Sequence, residues 1–268
     1  MFIGMSFGSC IGSFLNVCIF RMPREQSVVS PRSRCPKCET PISGMDNIPL
    51  LSWMLLGARC RHCKASISWR YPLVELITAL SMTATLWYFG MGLVGWIYAC
   101  FVAALLCASV IDLDFQIIPD EISLGGLVAG LILSFLVPVL HGTASHWVSL
   151  SRSLIGMLVG GGVLYGTGIF GDIVFRKESM GGGDIKLLAM AGSILGWKLA
   201  LFTFFIAPML ALIPGLIVLL VKRSHVIPYG PFLSAGLILA LFEGNKILRA
   251  TGVEESFSLL WEYRPWFR

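Results

Sequence analysis

Asp112 and Asp184 stand at the ends of apolar segments in a chain that otherwise keeps charge out of its hydrophobic stretches. The first opens Asp112-Leu113-Asp114, with Ile118-Pro119-Asp120 following. The second closes Gly181-Gly182-Gly183-Asp184, and Ile185-Lys186 come next. A carboxylate at a membrane boundary is costly, so such residues mark functional sites by default. Two carboxyls that can share one proton are the minimum apparatus for activating a water against a peptide bond. Each also has a plainer reading. Asp112 serves equally as an interfacial residue, and an Asp after a glycine-rich turn is also a helix N-cap. Asp120 reads as a cap for the segment it precedes, and Asp114 as a solvated loop residue. Gly181, Gly182 and Gly183 do more than permit a turn: without side chains they let a substrate backbone approach the carboxylate closely.

Cys35-Pro36-Lys37-Cys38 and Cys60-Arg61-His62-Cys63 are two C-x-x-C knuckles separated by 21 residues. Each offers two thiolates from one tight turn, and together they complete a closed tetrahedral zinc site. The alternative is a pair of disulfides, which a reducing compartment disfavours. The segment is too small for a convincing core, so metal binding would supply its folding energy. Cys10, Cys18, Cys100 and Cys107 fall in apolar stretches and read as small packing residues.

Glu75 lies in Arg70-Tyr71-Pro72-Leu73-Val74-Glu75, at the start of an apolar run. Helix-dipole stabilisation or a pair with Arg70 accounts for it simply; a role in a substrate or cofactor pocket is the sharper alternative. Asn16, an amide inside an apolar stretch, is expected to hydrogen-bond between helices. Pro228-Tyr229-Gly230-Pro231 is expected to break and re-enter the last apolar segment.

These residues need elements to hold them, and composition says which kind. The chain has 268 residues, 56% hydrophobic and only 13% charged, against roughly 25% charged for a soluble domain. Its apolar runs near 20 residues lack the alternation of a barrel, so the expected fold is an all-α polytopic membrane protein of about eight transmembrane helices. The spans are placed near 2–20, 72–90, 94–113, 122–141, 153–175, 185–197, 199–221 and 228–243. The sixth is short for a span, hence tilted or buried in protein. Residues 1–20 read as a retained first anchor, since no basic segment precedes the apolar stretch. A cytoplasmic zinc-knuckle loop occupies 21–71, the membrane bundle 72–243 and a C-terminal tail 244–268.

The loop 21–71 carries nine Lys/Arg against three acidic residues, which places it inside and Met1 outside. Arg176-Lys177 and Lys222-Arg223 then also fall inside, and 141–151, without Lys or Arg, outside. The tail, with four basic residues, falls outside and dissents mildly. On this count Asp112 ends a helix running inward and Asp184 begins one running outward, so both lie at the cytoplasmic face. The loop's charge is matched to anionic lipid headgroups. No nucleic-acid partner is expected.

Gly12-Ser13-Phe14-Leu15-Asn16-Val17, the paired knuckles, Arg70-Tyr71-Pro72 with Glu75, Ile111-Asp112-Leu113-Asp114 with Ile118-Pro119-Asp120, Met180 to Lys186, and Tyr229-Gly230-Pro231-Phe232 follow one another in the chain. In order and content these blocks resemble the type IV prepilin peptidase family. The resemblance implies a bifunctional enzyme of the bacterial inner membrane. It would cleave the leader of type IV prepilins or type II secretion pseudopilins after a glycine at the cytoplasmic face. It would then N-methylate the new terminal residue with S-adenosylmethionine, working beside the pilus or type II secretion assembly machinery. The family's catalytic pair maps onto Asp112 and Asp184, and Glu75 is the candidate for the methyl-donor pocket. A peptidase without methyl transfer, a proton-coupled transporter and a membrane-anchored zinc scaffold are the rival readings. A transporter would ordinarily show an internal repeat, and none is visible.

Overall fold

The structure, a computed structural model, describes residues 2–176, 180–222 and 228–252. Lys177, Arg223 and the tail from 253 onward, with its Arg264 and Arg268, lie outside the described residues. Among those described the chain is helical, with isolated bridges and no strand. Helices stand at every position expected to span. These are α1 (Phe2–Arg21), α3 (Arg70–Phe89), α4 (Leu93–Phe115), α5 (Asp120–Leu136), α6 (His146–Phe175), α7 (Gly182–Leu195), α8 (Trp197–Lys222) and α9 (Gly230–Leu239). A short α2 (Leu51–Leu55) lies in the polar loop, and α9 runs through a π-helical turn, Ala240–Gly244, into α10 (Asn245–Ala250). Six helical segments are long and apolar enough to cross a membrane: those of α1, α3, α4, α6, α8 and the run from α9 to α10. The chain is a multi-pass membrane protein. The helices α5 and α7, at 17 and 14 residues, are shorter.

The chain divides into two compact units, Met1–Ile122 and Ser123–Arg268. In the first, α1 packs on α3 through a face of small residues. A Cβ on Gly8 would come within 2.7 Å of the Ala79 Cα, and one on Gly12 within 2.6 Å of the Glu75 Cα. Backbone atoms cannot give way, so glycine at these positions sets the approach of the two helices. Asn16 adds a polar tie across the same contact, its Nδ2 donating to the Tyr71 carbonyl at 3.1 Å. This is the interhelical bond expected of it.

In the second unit α7 is buried on all sides, from Leu187 through Ile194. A helix apolar all round belongs inside protein, which is how a helix too short to span comfortably is accommodated. Its Gly192 meets Gly156 of α6 backbone to backbone, and Gly160 of α6 lies against the Leu188 carbonyl. Ser153 and Ser134 both donate to the Ser193 carbonyl, at 2.6 and 3.2 Å. Gly90 after α3 and Gly196 after α7 take the same conformation, positive φ of 83° and 84° with ψ of 167°, which is open to glycine and lets each helix turn at once towards the next.

The last segment differs from expectation. Pro231 does not break a helix; it stands in the first turn of α9, where a missing N–H costs nothing. The irregularity of this segment is instead the π-helical turn.

Candidate functional site

The four knuckle cysteines converge. Their Sγ atoms all lie within 4.8 Å of one another, and Cys35 Sγ stands 3.8 Å from Cys63 Sγ. Four sulfurs at tetrahedral zinc distances would sit about 3.8 Å apart, so the cluster fits that ion. The two knuckles are built alike. The Cys35 and Cys60 N–H groups bond to the Thr40 and Ala65 carbonyls, and their own carbonyls accept from Glu39 and Lys64 N–H. Glu39 and Lys64 both take a left-handed backbone, φ 54° and 56°, turning each chain back after its second cysteine. Hydrogen bonds from the Thr40 side chain and backbone hold the Cys38 thiol down at about 6, below the ordinary thiol value. All four are free thiols rather than disulfides. Asp46 grips Arg61 with both carboxylate oxygens, at 2.6 to 3.0 Å, clamping the segment between the knuckles onto the second one.

Asp112 sits in the last turn of α4 and is 6% exposed. Its carbonyl accepts the N–H of Gln116, the left-handed cap that ends the helix. Two clasps hold this helix end. Arg70, the first residue of α3, pairs with Asp114 at 2.5 Å. Arg24 lies over the rings of Phe20 and Phe115, 4.2 and 5.0 Å from their centroids. Asp114 is therefore a paired helical residue and not a free loop carboxylate.

Asp184 belongs to the second unit, in the first turn of α7. Gly181 is the N-cap, and its carbonyl accepts the Asp184 N–H at 3.2 Å. Gly182 and Gly183 are already helical, and neither they nor Gly181 has a positive φ. A turn does not require glycine here. A side chain at Gly182 would meet no atom within 4 Å, and one at Gly181 would meet the Asp184 carboxylate at 3.3 Å. What the glycines provide is bare backbone beside that carboxylate. Tyr229, just before α9, is near enough to feel the Asp184 charge. Asp120 is the first residue of α5, in the turn where an acidic residue is favoured by the positive helix end.

Glu75 is 8% exposed and its Oε2 accepts the Leu50 N–H at 2.7 Å, with the Ser13 hydroxyl as a second partner. It does not pair with Arg70, which is engaged by Asp114. Leu50 takes a left-handed backbone, φ 62°, at the start of α2. Glu75 thus fastens the knuckle loop to α3.

The clasps of Arg24 and Arg70, and the Asp46–Arg61 clamp, were not anticipated from the sequence, because pairing of distant charges leaves no local pattern. The glycine face of α1 did leave one: Gly4, Gly8 and Gly12 recur every fourth residue. Cys18 and Cys107 are buried as expected of packing residues, whereas Cys10 and Cys100 are exposed on their helices.

Residues 6–89 match the bacterial peptidase A24 N-terminal domain, and residues 99–216 match the type IV leader peptidase family. A prepilin leader peptidase/N-methyltransferase of Aeromonas salmonicida is 35% identical over 276 residues, covering 91% of this chain and 90% of that protein. A type 4 prepilin-like proteins leader peptide-processing enzyme of Escherichia coli O78:H11 is 40% identical over 262 residues, 88% of this chain and 91% of its own. A prepilin leader peptidase/N-methyltransferase of Myxococcus xanthus is 41% identical over 218 residues, 80% of this chain but 61% of that protein. No solved structure matches the chain.

Proposed function

Because the chain belongs to the type IV leader peptidase family, we propose that it removes the leader of type IV prepilins or type II secretion pseudopilins and N-methylates the new terminus. The observation that carries this reading is likeness along nearly the whole chain to proteins named for both activities. The cleavage is that of an aspartyl endopeptidase acting after glycine at the cytoplasmic face of the bacterial inner membrane.

Asp112 and Asp184 are the catalytic pair. One carboxylate, ionised, takes a proton from the attacking water; the other, protonated, donates to the scissile carbonyl oxygen, and the roles reverse as the leaving amine is protonated. Like charges close together disfavour double ionisation, which retains one proton on the pair. Gly181, Gly182 and Gly183 admit the substrate backbone to Asp184. The open space at Gly182 supports this. All eight long segments cross the membrane in this reading. By length α5 and α7 reach about 25 and 21 Å against a hydrocarbon core of about 30 Å, and α7 is shielded by the helices around it.

Zinc on Cys35, Cys38, Cys60 and Cys63 is structural, since four thiolates leave no open position for a water. S-adenosylmethionine supplies the methyl group, and its region is assigned to the 21–71 loop with the adjoining ends of α1 and α3. Glu75 serves there by shape, its carboxylate being committed to Leu50. The partners are prepilin or pseudopilin chains, membrane lipids and the pilus or secretion assembly machinery.

The test is direct. Asp112→Asn and Asp184→Asn should each abolish leader removal from a prepilin in membranes where the variant accumulates normally. Near wild-type turnover by either would overturn the assignment.

A further inference from the structure

The segment from Met45 to Leu55 is patterned inside out. Its polar Ser52 is buried at 7% exposure and spends its hydroxyl internally, donating to the Met45 carbonyl at 2.9 Å and accepting the Ile48 N–H at 3.0 Å. Its large apolar residues point outward: Leu51 is 57% exposed, Met54 70% and Leu55 85%. Trp69, which leads into α3, is 68% exposed. A loop in water would reverse this arrangement, because apolar surface is driven inward and hydroxyls are left outside.

The arrangement is also held firmly. Glu75 fixes Leu50, the Trp53 indole N–H donates to the Ile67 carbonyl at 3.3 Å, and the two tryptophans frame a groove of about 250 Å³. Leu50, Trp53, Met54, Trp69, Leu73 and Leu76 line it. Leu73 and Leu76 belong to the first two turns of α3, where the chain enters the membrane, and the exposed row continues down that helix through Ile77 and Leu80. The groove therefore opens onto the lipid-facing side of α3, at its polar end. Tryptophan beside a helix entry is the residue of the membrane–water boundary.

Charge identifies which lipid. The loop that carries the groove has nine Lys/Arg against three acidic residues, and setting aside the Arg61–Asp46 and Arg70–Asp114 pairs leaves seven cations against two acids. An exposed apolar face joined to an excess of cations is the signature of a segment lying in an anionic interface. We propose that the Met45–Leu55 segment and Trp69 lie in the headgroup boundary of the bilayer, with the groove holding an acyl chain of an anionic phospholipid. The apolar walls take the chain, and the loop's cations hold the headgroup. This site is independent of the peptidase assignment.

The experiment places a benzoylphenylalanine probe in the full-length protein at Leu55, whose exposure leaves room for it, and separately at Met54. The protein is reconstituted in mixed phosphatidylcholine and phosphatidylglycerol bilayers, irradiated, and the adducts weighed. Both positions should yield phospholipid adducts, with phosphatidylglycerol enriched about fivefold over its share of the bilayer. Adducts in the bulk lipid proportion, adducts only to protein (a second copy or an added prepilin), or no adduct at either position would each overturn the proposal. None of these readouts depends on cleavage, so a failed peptidase assignment would leave this result unaffected.

Discussion

At the scale of single residues, position within a helix separates the carboxylates more clearly than their number does. Asp112 is buried in the last turn of α4, whereas Asp114 is half-exposed and paired with Arg70. Exposed pairs of this kind contribute up to about 1 kcal/mol. Asp114→Asn and Asp120→Asn are therefore expected to keep most leader cleavage, measured against the loss expected for Asp112→Asn. A pH dependence follows from Asp46. The hydrogen-bonded Arg61 guanidinium holds its carboxyl below the ordinary value. A lowered acid contributes its stabilisation above the unfolded pKa of about 3.9 and loses it as the pH falls through the lower folded value. The clamp should thus hold at neutral and mildly acidic pH and release only in stronger acid, and Asp46→Asn should remove that dependence, as read by proteolysis of the loop. How much of this was legible depends on range. The knuckle ligands were readable because two thiolates three residues apart carry their geometry with them. The partner of Glu75 was not, because it is a backbone N–H 25 positions away, on a leucine with a left-handed backbone.

At the scale of elements, the two knuckles and the glycine-faced helices make opposite demands on their sequences. A loop this small has no core of its own, so its fold should depend on metal. Metal analysis of protein purified without chelator is expected to find about one zinc per chain. Cys60→Ser should lose it and leave the loop open to protease. The helices depend instead on an absence of side chains. Gly8→Ala would drive a methyl against the Ala79 backbone and should destabilise by ~1–3 kcal/mol. Gly125→Ala, with nothing within 4 Å, should be neutral or slightly stabilising. Unfolding in mild detergent compares the pair. Helix positions were readable from apolar runs, and of the two readings open for the short sixth one, tilted or buried in protein, its buried residues Leu187–Ile194 favour the second. The break expected at Pro231 was misjudged because proline both breaks helices and begins them, and only the neighbouring backbone decides.

At the scale of the molecule, each of the two compact units carries one of the two proposed catalytic carboxylates, Asp112 in the first and Asp184 in the second. The proposed methyl-donor region belongs to the first unit alone. Methyl transfer needs a deprotonated amine and an aligned donor, and no carboxylate pair. Protein with Asp184→Asn, given a pre-cleaved pilin and S-adenosylmethionine, should accordingly still methylate the terminus. Loss of both activities in a folded variant would show that the two sites overlap. The architecture also bears on how the chain is made. The Asn16 amide and the glycine face of α1 find their partners on α3, and Tyr71 lies 55 residues further along. At ~5–20 residues per second, α1 waits roughly 3 to 11 s in the membrane before the ribosome delivers the helix that completes it. During that interval an unpaired amide lies in hydrocarbon, so α1 is a client of whatever insertion machinery shelters it until α3 arrives. Arrested nascent chains cut before Tyr71 should then crosslink α1 to the insertion machinery, and chains cut well beyond it should not.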